Sequence, residues 1–369
     1  MWTQTRFTEV FGLAWPIVQG PFGGGNSSVA LAAAVSNAGG LGSFGAVDLE
    51  PDEITRTVHE LAQATAKPFA INLWLAIPEQ ENRETSDAAL AAARERVRPY
   101  YAALGAEPPI VSRAVPSFEA QVEALLEARP PVFSFVMGVP DAAILREVKR
   151  RGIRTIGTAS TVDEAQVLAA AGVDAVVASG SDAGGHRGSF LRPVENSLVG
   201  TFSLVPQVVS AIRLPVLAAG GIADGRGIAA ALALGAEGVQ IGTAFLACAE
   251  SGASPSHRQR LGQPEARHTR LTRVFSGRHA RGIENELMRS LEREGEPLPF
   301  PLQNALTAPL RKAASAAGQS EWLALWAGQN AASARKGTAT NLMHSLVEET
   351  DQVLSESRLR PHEAAPRAR

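Results

Sequence analysis

A histidine stands among four glycines in the stretch Ala178-Ser179-Gly180-Ser181-Asp182-Ala183-Gly184-Gly185-His186-Arg187-Gly188. Imidazole titrates near neutrality, so His186 is the side chain here that suits proton transfer. The glycines let the main chain turn sharply and come close to a ligand. Residues 174–178 form a short β-branched apolar run that reads as a buried strand, so His186 falls on the loop after its C-terminal end. A surface turn with an incidental histidine has the same local look. The flanking chain favours chemistry, because it repeats the strand-then-loop pattern of a barrel that aims such loops at a ligand.

The second candidate is an anion cradle. Ala219-Gly220-Gly221-Ile222 and Gly242-Thr243 follow the last two predicted strands. In many barrels the loops there bind phosphate, with bare backbone N–H groups and a helix N-terminus facing the anion. Thr243 adds a hydroxyl donor. Gly225-Arg226-Gly227-Ile228-Ala229-Ala230 matches a G-x-G-x-x-A dinucleotide pattern in form, but residues 220–224 separate it from the preceding strand, which argues against that use.

Other chemistries lack their residues. Lys67, Lys149, Lys312 and Lys336 all lie away from predicted strand ends, against a Schiff base on the barrel. Cys248 lies past the last strand end. Asp48 and Asp182 stand far apart in sequence, so no divalent-metal cluster is expected. His257, His268 and His279 show no short metal spacing, and a solvated helical face accounts for them. A phosphate site with one histidine, and no nucleophile or metal, points to a cofactor that carries the chemistry.

The elements that position these loops follow from periodicity. Strands are expected at 16–20, 41–46, 69–74, 132–136, 154–158, 174–178, 215–219 and 238–242, with helices between them. Thr161 and Glu164 form a capping box at one helix start. This is the pattern of an α/β (β/α)8 TIM barrel; a doubly wound sheet shares the local alternation and usually has fewer strands. Residues 77–131 break the rhythm and read as a mostly helical insertion. Polar helices follow at 284–293, 305–317, 321–327 and 340–354. We therefore expect a barrel from 1–76 and 132–249, a helical substrate or lid subdomain from 77–131 and 250–354, and a disordered tail at 355–369.

Composition bounds the partners. The 369 residues are 45% hydrophobic with a formal net charge of −2, which gives no reason to expect nucleic acid or an anionic membrane. Cys248 is the only cysteine, which excludes an intrachain disulfide and suits a reducing cytoplasm. No signal peptide is expected at the N-terminus. The apolar window at 228–249 carries Glu237, Gln240 and glycines, and reads as a helix and a buried strand, not a membrane span.

Several stretches together resemble the nitronate monooxygenase family, class I. They include residues 31–42, Asn72, Ala183-Gly184-Gly185-His186-Arg187-Gly188 and Ala219-Gly220-Gly221-Ile222. Phe275-Ser276-Gly277-Arg278 with Ala280-Arg281-Gly282 is similar to the family's FSGRxARG motif. Pro301-Leu302-Gln303-Asn304-Ala305 and Leu325-Trp326-Ala327-Gly328-Gln329 are similar to its C-terminal segment. The resemblance implies an FMN-bound barrel that oxidises alkyl nitronates, propionate 3-nitronate for example, and nitroalkanes with O₂, releasing nitrite or nitrate. It implies that Pro21, Phe22 and Gly23 flank the flavin ring and that Asn72 bonds to it. Gly184, Gly221, Gln240, Ile241, Gly242 and Thr243 would hold the ribityl chain and phosphate, with Ser179, Gly185 and Gly220 in the same set. His186 would be the catalytic residue. Two positions depart from the family: Ser179 stands where Gln is usual, and Phe22 where Met is usual. An NAD(P)H-dependent FMN reductase on the same barrel, similar to enoyl-ACP or quinone reductases, shares the glycine-flanked histidine. A flavin-binding protein without turnover is a third reading. Nothing in the sequence excludes an oligomer.

Overall fold

The computed structural model describes residues 1–76, 84–111 and 116–359. The start of the expected insertion and the end of the expected tail lie outside the described residues. In chain order the structure runs α1 (Arg6–Phe11), β1 (Ile17–Gln19), α2 (Val29–Asn37), β2 (Gly42–Gly45), α3 (Pro51–Ala64) and β3 (Phe69–Trp74). Next come α4 (Asp87–Ala103), α5 (Phe118–Ala128), β4 (Val132–Val136), α6 (Ala142–Arg150), β5 (Arg154–Ala159), α7 (Val162–Ala170) and β6 (Ala175–Ser179). They are followed by β7 (Gly185–His186), α8 (Thr201–Ala211), β8 (Val216–Ala219), α9 (Gly225–Ala233), β9 (Gly238–Ile241) and α10 (Thr243–Leu246). The chain ends through α11 (Pro255–Arg260), β10 (Thr269–Thr272), β11 (Ala280–Ile283), α12 (Glu286–Arg293), α13 (Leu302–Ala316) and α14 (Ala339–Leu359).

Eight strands form one parallel sheet in the order β1-β9-β8-β6-β5-β4-β3-β2. Leu41 closes it into a barrel: its N–H donates to the Ile17 carbonyl at 2.9 Å, and its carbonyl accepts from Gln19 N–H at 2.9 Å. Inward-facing Val18, Ala70, Ile156, Val177 and Leu217 fill the interior, and Phe7 and Phe11 of α1 join that cluster. Alternate residues such as Ile17, Ile71, Phe133, Val176 and Val239 face the helical layer. The expected capping box is present: Thr161 Oγ1 accepts from Glu164 N–H at 3.3 Å, and Glu164 Oε2 accepts from Thr161 N–H at 3.2 Å. The other Glu164 oxygen accepts from Phe190 N–H at 2.8 Å, so this buried carboxylate also anchors the chain just beyond His186.

The structure redraws the expected division in several places. α5 packs on α3, and α14 packs on α9 and α2, so both belong to the barrel's outer layer and not to the lid. α14 continues to Leu359, into the segment expected to be disordered. Residues 321–327, expected as a helix, make a 3-10 turn at Ser320–Trp322 and then an extended run. That run pairs with the strand beside it: Ile283 N–H donates to the Leu325 carbonyl at 2.8 Å, and Gly282 bridges Trp326. A small antiparallel sheet, β10-β11-β7, was not expected; it sets Ala280 opposite His186. The rest of the segment expected as a lid is largely helical, with Val97 and Tyr101 of α4 packed on Leu291 of α12 and Leu306 and Leu310 of α13. The Tyr101 hydroxyl ties α4 to α13, donating to the Leu306 carbonyl at 2.8 Å and accepting from Leu310 N–H at 3.1 Å. Among the described residues no helix is long and apolar enough to cross a membrane.

Candidate active site

A cavity of about 920 Å³ opens at the C-terminal ends of the strands, between the barrel and α13. That is the size of a site for a cofactor together with a small substrate. Its walls come from the loops after β1, β3, β6, β8 and β9 on one side, and from α13 and the 323–328 run on the other.

One corner is built of bare backbone. Gly220 and Gly221 both have positive φ, 113° and 74°, conformations that suit glycine. Among the described residues the Gly221 and Ile222 N–H groups have no hydrogen-bond partner. Gly242, Thr243 and Gly328 complete the corner, with Gly328 N–H donating to Thr243 Oγ1 at 2.9 Å. Asp182, the nearby carboxylate, is turned towards the start of α8, where it accepts from Thr201 N–H at 2.7 Å and Thr201 Oγ1 at 2.8 Å. The corner therefore offers free N–H donors, as a phosphate requires.

The loop carrying His186 is held by two arginines. Arg187 donates to the carbonyls of Gly180 at 2.7 Å and Ser179 at 2.8 Å, and Arg281 donates to the Ser181 carbonyl at 2.9 Å. A Cβ on Gly184 would collide with the backbone of Ala327 and Gly328, so the loop and the 323–328 run seat on each other only through glycine. His186 itself lines the cavity. Its ring meets Trp74 at 4.7 Å and Trp326 at 5.3 Å between centroids, both edge-on, and its Nε2 lies 2.7 Å from Ser276 Oγ.

The electrostatics around this ring are one-sided. No carboxylate lies within ion-pair distance of His186 among the described residues, while Arg278 and Arg311 both repel its proton. Removal from bulk water is the larger effect; together they bring the imidazole from its ordinary 6.5 down to about 3. It is neutral at physiological pH. Arg278 stacks on Phe300 at 4.3 Å. Arg311 is steered by Asn304, whose Oδ1 accepts at 2.7 Å, and burial lowers its own pKa to about 10, leaving it charged. A neutral base beside fixed cations is arranged to make or hold an anion.

The cavity brings together Pro21, Phe22, Gly23, Asn72, Ser179, Gly184, Gly185, His186, Gly220, Gly221, Gln240, Gly242 and Thr243, all expected from the sequence. Asn72 donates to Ser134 Oγ at 3.0 Å. Ile241 is the exception. Strand alternation sends its side chain to the helical layer, where it is 1% exposed, and only its carbonyl reaches this end of the barrel, accepting from Gly20 N–H at 2.8 Å. His257 also differs from expectation: it is no solvated surface residue but a buried part of the wall, with Nε2 3.2 Å from the Trp326 carbonyl and a pKa lowered to about 4 by burial. Lys312 is away from the strand ends, as expected, yet lines the cavity from α13. Sequence reasoning assigned no role to Trp74, Ser276, Phe300, Arg311 or Trp326. The helical spacing of Asn304, Ala308, Arg311, Lys312 and Ser315 was the signal for α13's inward face.

Comparison with known proteins agrees with this geometry. The family model for nitronate monooxygenase matches residues 4–349. The chain belongs to the nitronate monooxygenase family. A probable nitronate monooxygenase of Staphylococcus aureus is 38% identical over 357 residues, covering 96% of this chain and 99% of that one. A nitroalkane oxidase structure from Streptomyces ansochromogenes superimposes with a TM-score of 0.86 at 38% identity, covering 96% of this chain and all of that one (100%). FabK from Thermotoga maritima aligns with a TM-score of 0.75 at 31% identity, over 96% of this chain and 98% of that one. Membership of the nitronate monooxygenase family makes the chain a flavin-class oxidoreductase on a TIM barrel.

Proposed function

We propose that this protein binds FMN across the barrel mouth and oxidises alkyl nitronates with O₂, taking neutral nitroalkanes as well. Gly221, Gly242 and Thr243 would hold the phosphate, and Pro21, Phe22, Gly23, Asn72 and Gly185 would line the flavin ring. The unpartnered Gly221 and Ile222 N–H groups fit a phosphate in that corner. Bound there, FMN would supply electron transfer to and from the substrate and reaction with O₂. The protein's own part is to bind the anion and to handle a proton. Arg311 faces a nitronate with positive charge, and His186, uncharged, takes the α-proton of a nitroalkane. α13, which lines the cavity with Asn304, Ala308 and Arg311, would limit the access of water to that step. Propionate 3-nitronate, which carries two negative charges, suits a cavity lined by Arg311 and Lys312. The carrying observation is one cavity at the C-terminal ends of the strands that His186 and Arg311 line together with the bare Gly220–Gly221 corner.

The test is oxygen uptake and nitrite release with propionate 3-nitronate, on protein that is yellow or has taken up FMN. Protein that binds FMN and leaves the nitronate untouched would overturn the assignment. The 31% identity to FabK favours one competing reading, a reductase fed by NAD(P)H. Anaerobic mixing with NADPH separates the two: fast bleaching of the flavin supports the reductase, and an unchanged spectrum with rapid nitronate turnover supports the oxidase.

A further inference from the structure

We propose that Trp74 is a specificity-determining residue: its indole closes an uncharged subsite beside His186 that takes the alkyl chain of the substrate and limits its length. The proposal rests on the nitronate oxidation argued above and adds which wall reads the chain.

The two ends of the cavity differ in charge. β3 and β4 stand across the barrel from β8 and β9, whose loops carry the anion corner. Among the described residues, those lining the cavity from β3 to β5 are Asn72, Trp74, Val136, Met137 and Thr158, and none of them ionises. The charge lies elsewhere, with Arg311 and Lys312 on α13 and Asp48 after β2. An anionic head drawn to Arg311 leaves its alkyl chain the β3–β5 wall, where methylenes are buried without desolvating a charge. Asn72 and Trp74 are two residues apart on one strand and share its cavity face. Asn72, assigned above to the flavin, is the deeper of the two. Trp74 stands about 6.6 Å further along the strand. It is at the level of His186, whose ring its own meets edge-on at 4.7 Å.

This wall is held as a unit. Trp74 pairs with Val136 across β3 and β4, Asn72 donates to Ser134 Oγ at 3.0 Å one pair deeper, and Leu75 N–H donates to the Val136 carbonyl at 3.0 Å just beyond. The Arg278 guanidinium stands 6.0 Å from the indole centroid. Met137 follows Val136 with φ of 71°, uncommon for a residue with a Cβ, and it has no helix to cap as Arg129 does. It is 2% exposed yet lines the cavity, and Arg278 Nη1 lies 2.7 Å from its Sδ. A Cβ on Gly188 would come within 2.6 Å of Val136 Cγ2, so the chain leaving His186 is seated on the same wall. A methionine side chain adapts to what it touches, whereas an indole is rigid, so the length limit falls to Trp74.

The test uses the full-length, flavin-loaded protein and the straight-chain series from ethyl to hexyl nitronate. These are already anions, so any damage to His186 as a base does not enter, and the ratio of long to short chains cancels a general loss of activity. In the unaltered protein kcat/KM should rise about fourfold per methylene while the chain is being buried. It should then fall by about tenfold or more at the length that meets the indole. Trp74→Leu should carry that fall to longer chains and raise the hexyl-to-ethyl ratio by about tenfold or more. Val136→Ala opens the same wall with the indole intact and should move the ratio in the same direction; should Trp74→Leu not fold, it carries the comparison alone. Straight-chain carboxylates from acetate to hexanoate, which do not react, give a second series as Kd from the flavin's visible spectrum. The same chain-length profile in the unaltered protein and its variants overturns the proposal. So does weaker flavin retention in Trp74→Leu with an unmoved profile, which would put the indole against the cofactor instead. A protein that oxidises no nitronate, yet whose carboxylate Kd breaks at a length that Trp74→Leu moves, defeats the functional assignment and leaves the wall standing.

Discussion

His257 makes the cavity wall a source of acid lability. The side chain is 4% exposed, and its Nε2 lies 3.2 Å from the Trp326 carbonyl, an arrangement that fits a neutral imidazole donating Nε2–H. Burial, the largest cause, with Arg258 adding to it, lowers its pKa from 6.5 to about 4, although the bond to Trp326 works in the opposite sense. The folded pKa is below the unfolded one, so the unfolded chain binds the proton more readily. Stability from this group is complete above pH ~6.5 and is lost as pH falls towards ~4. At ~1.36 kcal/mol per pKa unit, the loss between pH ~7.5 and ~4.5 is about 2.5 kcal/mol. This is a large share of the roughly 5–15 kcal/mol that holds an ordinary domain together. His257→Gln keeps a side-chain N–H donor for the carbonyl and cannot titrate. Urea unfolding at both pH values should show the parent losing about 2.5 kcal/mol more than the variant on acidification. Other titrating groups, His186 among them, contribute equally to both proteins and cancel in the comparison. Identical losses in the two would refute a neutral, buried His257.

Three further outcomes follow from the site. His186→Asn should retain the flavin spectrum while nitroalkane turnover falls by ~100-fold or more, as expected for a lost general base; unchanged nitroethane turnover would remove the assignment. Arg311→Met should raise KM for nitronates on the order of tenfold, the scale of one charge-assisted hydrogen bond, with a smaller effect on kcat. The same change removes one of the two cations that depress His186, so the base pKa read from a pH–rate profile should rise. Gly184→Ala should cost ~1–3 kcal/mol of stability through overpacking and weaken flavin retention, because the new methyl meets the backbone of Ala327 and Gly328; retention equal to the parent's would mean that the two segments move apart without consequence.

The sequence disclosed those features that are local in the chain. Phe69–Trp74 and Val132–Val136 are runs dense enough in apolar and β-branched residues to be buried on both faces, and both strands have the expected ends. The glycines that bare the anion corner sit directly after strands, so Gly220, Gly221 and Gly242 were legible together. Alternation, carried one residue further, would also have separated Gln240, which faces the cavity, from Ile241, which does not. Features made by distant segments stayed hidden. β7 has two residues and gains its strand character only from β11, whose Ala280 and Arg281 pair with His186 and Gly185. His257 looks like a surface histidine until the Trp326 segment covers it. α5 and α14 read as parts of the lid because an excursion and the lid itself separate them from the strands they cover. The chemistry follows the same division. The base came from a motif within one loop, whereas the cations that lower its pKa come from the 275–278 turn and from α13, which lie beyond the last barrel strand in the chain. The site's sign is therefore a tertiary property: the same His186 loop without that cover would present an ordinary, solvated imidazole with a pKa near ~6.5.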